Sequence, residues 1–81
     1  MQNLNKAANK LQYALAAAGY PVSINRRQFY SIVYKKLITK YTLRAEPQQP
    51  GGERTVLLET YSLAEVVKTL AGQLREVQDG V

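Results

Sequence analysis

The period of the apolar residues changes twice along this chain, from helical to alternating and back to helical. That order limits it to a mixed architecture in which two helices bracket a sheet. At the start, Leu4, Ala7, Ala8, Leu11, Ala14, Leu15 and Ala18 share one helical face. Asn5, Lys6, Asn9, Lys10, Gln12 and Tyr13 take the other, which is the 3.6-residue signature of an amphipathic helix. The predicted helix covers residues 4–18, capped by Asn3 and stopped by Gly19 and Pro21. At the far end, Leu63, Val66, Val67, Leu70, Leu74 and Val77 form a second stripe. Ser62-Leu63-Ala64-Glu65 opens it with the pattern of a capping box, in which the Ser hydroxyl accepts from an orphan N–H and the Glu reaches back. Tyr61 and Val66 stand at the positions of a hydrophobic staple. Residues 78–81 are expected to fray.

Between the helices the residues become β-branched and aromatic. Leu37, Thr39, Tyr41, Leu43 and Ala45 alternate with Ile38, Lys40, Thr42 and Arg44, giving a strand with one basic face. Pro47, Pro50, Gly51 and Gly52 mark a loop, and residues 55–61 read as the returning strand of a long-looped hairpin. Ile38 and Leu57 are expected to point away from the helices. Residues 22–36 admit two readings. Phe29, Tyr30, Ile32, Val33 and Tyr34 favour a strand, with Lys35-Lys36 at a turn that lacks the usual Gly or Asn. Asn25 with Gln28, and Ile24 with Phe29, instead fit the start of a helix. Residue type favours the strand. The predicted class is therefore α+β, in the order α-β-β-β-α, with a three-stranded antiparallel sheet and both helices on one face. The alternative order is α-α-β-β-α. One domain over residues 1–77 is expected, since 81 residues support a single modest core. A compact chain of this length has a radius of gyration of about 12 Å.

Charge divides along the chain. Residues 1–45 hold Lys6, Lys10, Arg26, Arg27, Lys35, Lys36, Lys40 and Arg44 and no acid, whereas residues 46–81 hold three basic and six acidic residues. Such asymmetry points to a polyanionic partner for the basic part. Its plainer meaning is attraction between two parts of one small domain. The eight basic residues of the first part are the candidate nucleic-acid-binding set: Lys and Arg neutralise phosphates, and the interleaved tyrosines can stack on unpaired bases. Tyr20, Tyr41 and Tyr61 fall at element ends or on the apolar parity, where a core role is expected.

Catalysis finds little support. The chain has no His and no Cys, so the usual neutral-pH acid–base group, the thiol nucleophile and the commonest metal ligands are missing. Gly51-Gly52 lacks the Lys and helix of a phosphate-binding loop. Ser23, Ser31 and Ser62 have no activating base. No enzyme activity, cofactor, metal or small-molecule ligand is expected. The first ten residues are polar, unlike a signal peptide, and no apolar run approaches the ~20 residues of a membrane span. A cytoplasmic protein without a membrane partner is expected. Two functions stand level: a small accessory protein that binds DNA or RNA through the first helix and the sheet face, and a protein–protein module that binds another protein or forms a homodimer.

The α-β-β-β-α order resembles the double-stranded RNA-binding domain in topology over most of the chain. That family opens its last helix with a Lys-rich segment against phosphate. The matching positions here are Leu63, Ala64, Glu65 and Val66. Glu65 repels phosphate, so no binding site is carried over. A second resemblance rests on Asn25-Arg26-Arg27-Gln28-Phe29-Tyr30-Ser31, on Ile38-Thr39-Lys40-Tyr41, and on the run from Leu58 to Lys68. These strings look like a group of small proteins from Gram-positive bacteria and their prophages or other mobile elements. That resemblance implies an accessory role and no site.

Overall fold

The computed structural model describes residues 3–47 and 49–79. The chain runs α1 (Leu4–Ala17), β1 (Val22–Ser31), β2 (Lys36–Ala45), β3 (Thr55–Thr60) and α2 (Leu63–Asp79). This is the predicted α-β-β-β-α order, so residues 22–31 are strand and the two-helix alternative is discarded. The sheet is antiparallel in the order β1-β2-β3. α2 continues over Gln78 and Asp79, which were expected in the frayed tail, while Gly80 and Val81 lie outside the described residues.

Local chemistry sets the ends of α1. Asn3 accepts from the Lys6 amide through Oδ1 at 3.1 Å. At the other end, Tyr20 N–H donates to Leu15 O at 2.8 Å and Gly19 N–H to Ala16 O at 3.0 Å. That is the Schellman pattern, and Gly19 takes the left-handed φ of 83° it requires. The start of α2 departs from the expected capping box. The Glu65 amide meets Ser62 Oγ at 3.4 Å, but the Glu65 carboxylate does not return to Ser62 N–H. It accepts from the Thr60 hydroxyl at 2.6 Å, and that hydroxyl accepts from Ser62 N–H at 3.1 Å. Thr60 thus relays the reciprocal bond. The expected staple is also replaced: Val66 is buried, but Tyr61 is exposed and meets Phe29 edge to face, centroids 6.5 Å apart.

Both helices lie on one side of the sheet. Ala8 and Leu15 of α1, Val66 and Leu70 of α2, and Val22 and Leu43 of the sheet form the buried core. Tyr20, Ile24, Tyr41 and Leu58 pack around it. Leu57 joins them rather than pointing away, because the register slips between Leu43 and Arg44: Leu43 pairs with Leu58 but Arg44 with Val56. Such a bulge re-aims a side chain relative to strict alternation. The core covers only part of the sheet. β1 and β2 pair along ten residues each, whereas β3 reaches only Tyr41–Ala45 of β2. The outer ends of β1 and β2 therefore project as a two-stranded ribbon. The result is a slab of 46 × 36 × 16 Å with a radius of gyration of 14.0 Å, larger than expected because of that projection.

Candidate functional site

Register and pleat place the basic residues. β1 pairs with β2 so that Ser23 faces Arg44, Asn25 faces Thr42, Arg27 faces Lys40, Phe29 faces Ile38 and Ser31 faces Lys36. Directly opposed residues share a face, and alternate residues share it along each strand. These ten residues lie on the side away from the helices, since Val22, Ile24, Tyr41 and Leu43 hold the helix side. Lys36, Lys40 and Arg44 recur at every fourth position, about 13 Å apart along the strand. Arg27 stands beside Lys40. The open face thus carries four cations in one stripe.

Acids balance this stripe incompletely. Lys40 Nζ lies 3.9 Å from Glu59 Oε2. Arg27 and Lys36 have no ion pair or side-chain hydrogen bond among the described residues. Glu46 lies at the edge of the face near Arg44. Its carboxyl is held below its ordinary range by a hydrogen bond from Ser23, then by one from Arg54 at 2.8 Å and by the charges of Arg54 and Arg44. Two cations directly opposed across a ladder oppose folding, so the Arg27–Lys40 pair has no structural rationale of its own.

The eight predicted residues do not form one surface. Arg26 has the opposite parity from Arg27 and donates through Nη2 to Asn5 Oδ1 of α1 at 3.1 Å. Lys6 and Lys10 are exposed on α1, where they flank a groove that Leu4 and Val67 also line. The sheet separates them from the stripe. Tyr13, 80% exposed, is on that helical side as well. Lys35 sits in the turn of the ribbon with a left-handed φ of 54°. Only Arg27, Lys36, Lys40 and Arg44 come together.

Aromatic rings adjoin the stripe. Tyr61 follows β3 on the parity of Glu59, so it stands on the open face and is 62% exposed, contrary to the expected core role. Tyr20 and Tyr41 do pack on the core. Tyr61 and Phe29 form an edge-to-face pair at 64°. Tyr61 also borders an open depression of about 420 Å³, lined by Tyr34, Lys36, Leu37, Ile38 and Thr39. Strand parity counted onward from Glu59 is the sequence signal that finds Tyr61. The exposed ribbon tip had no such signal, since Ile32, Val33 and Tyr34 read as strand interior. Comparison with protein-family models, with curated proteins and with solved structures gives no match for this chain.

Proposed function

We propose that this protein is a small, non-enzymatic accessory protein that binds single-stranded nucleic acid across the open face of its sheet. One observation carries the reading: Arg27, Lys36, Lys40 and Arg44 share that face with Phe29 and the exposed ring of Tyr61. Cations at intervals along a strand suit a charged backbone, and exposed rings suit unpaired bases. The Lys6 and Lys10 end of α1, part of the expected surface, is left out of this reading because it lies across the sheet.

Fluorescence anisotropy with labelled 12-nucleotide single strands of DNA and RNA, and with a duplex, tests it. Four phosphate contacts predict a slope of log K against log salt of roughly −3 for single strands. The double variant R27E/R44E should bind at least tenfold more weakly, on the order of the loss of two phosphate contacts. K6E/K10E should bind within about twofold of the parent. Arg27→Glu alone should leave the fold intact or stabilise it by about 0.2–0.5 kcal/mol, because Lys40 then faces an opposite charge. Absence of binding at low salt, or an equal loss in K6E/K10E, overturns the reading.

A further inference from the structure

We infer that the tip of the β1–β2 ribbon docks shallowly on an anionic lipid bilayer, through an apolar surface outside the proposed nucleic-acid face but flanked by Arg27, Lys36 and Lys40 of that face. Among the described residues, the tip gathers most of the exposed large apolar side chains. Ile32 and Val33 are 84% and 83% exposed, Tyr34 69%, and Tyr30 and Leu37 61% each. Together these five leave on the order of 600 Å² open, at the upper end of what soluble single chains carry. They stand on the ribbon that projects beyond β3.

Three features select a bilayer over other occupants. First, the turn between the paired Ser31 and Lys36 opens with Ile32 and Val33, whose side chains offer no hydrogen bond and impose no partner geometry. They suit a fluid apolar medium, and flanking tyrosines with Lys35 and Lys36 suit the interface above it, where amphipathic rings and long cationic chains reach toward headgroups. Second, the charge is of one sign. No acid occurs before Glu46 and Glu59 meets only Lys40 at the base of the ribbon, so Arg26, Arg27, Lys35 and Lys36 give the ribbon a cationic field that anionic headgroups complement. Two copies meeting tip to tip would oppose their own lysines. Third, the apex spares part of the cost of leaving water. The Tyr34 amide, which a turn would leave to solvent, donates to Ser31 Oγ at 3.1 Å, and Ser31 is only 9% exposed. A backbone amide satisfied from within can approach hydrocarbon without an orphaned donor.

Cosedimentation of the full chain with vesicles tests this. Vesicles of phosphatidylcholine and phosphatidylglycerol at a ratio of about 7:3 should carry the protein down, those of phosphatidylcholine alone much less, and added salt should release it. Reversing Lys35 and Lys36 to Glu should lower partitioning by roughly tenfold or more. Ile32→Ser with Val33→Ser, both largely exposed positions, should lower it by about tenfold while circular dichroism and the thermal midpoint stay unchanged. The chain has no Trp, so Val33→Trp supplies a single reporter whose emission should shift to the blue with anionic vesicles. Wild-type protein that stays in solution at low salt overturns the inference. So does an Ile32/Val33 variant that binds like the parent, which assigns vesicle binding to the sheet's charges alone. A wild-type dimer that Val33→Asp converts to a monomer assigns the tip to a second copy and overturns it too.

Discussion

Glu46 shows how much a single side chain at a loop entrance can carry. Its backbone N–H closes the strand ends by donating to Pro21 O at 2.9 Å. Its carboxylate accepts from Arg54, beyond the Pro/Gly loop, at 2.8 Å, and Ser23 of β1 also favours its charged form. Those partners favour the charged form and lower the folded pKa below the ordinary 4.5. The contribution to stability is therefore present above that ordinary value and is lost as pH falls through the folded one. Urea midpoints of the parent should drop between pH 6 and pH 3, and Glu46→Gln should drop less over the same interval. An identical acid limb in the variant would show that these bonds do not differ between folded and unfolded chains. None of this is legible in the sequence, where Glu46 is only the first acid after a basic stretch. Ser23 and Arg54 become its neighbours through strand pairing.

Among the elements, α2 was the most legible and its first turn the least. The stripe from Leu63 to Val77 packs as its period dictates. The capping contacts, however, run through Thr60, a strand residue outside the Ser-x-x-Glu pattern. Thr60 is 8% exposed and serves as both donor and acceptor. Thr60→Val keeps the shape and removes both bonds, leaving Ser62 N–H without its partner. A loss of about 1–2 kcal/mol is expected by urea denaturation, with faster exchange of the amides at the start of α2. A loss below about 0.5 kcal/mol would mean that water replaces the relay. β1 teaches a related lesson. Asn25 and Gln28 carry the letters of a helix start, yet the segment is strand because all ten of its residues pair with β2. A ladder of that length outweighs a local cap worth about 1 kcal/mol. Its turn lacks Gly and Asn, and Ser31 Oγ with a left-handed Lys35 takes their place.

The slab divides into a packed part and a projecting part, and they should differ in local stability. Tyr41–Ala45 lies between two strands and beneath the helices, whereas Lys36–Lys40 has a neighbour on one side only. Ladder amides of the ribbon, from Phe29 to Ile38, should exchange roughly tenfold or more faster than those of Tyr41–Leu43 and Leu58–Thr60. Uniform protection would make the ribbon part of one cooperative unit. Hydrophobic period alone determined the two helices, the returning hairpin and the basic side of β2, because burial of one face imposes a period of 3.6 or 2 whatever the partner is. The choice of strand over helix after Pro21, the sorting of eight cations into a stripe of four and the rest, and the exposure of Ile32 and Val33 came from pairing between distant segments. An apolar residue reads the same whether a second layer covers it or the sheet runs past that layer's edge. Here β3 stops at Thr60 and the helices stop with it, so residues that look like core stand in solvent.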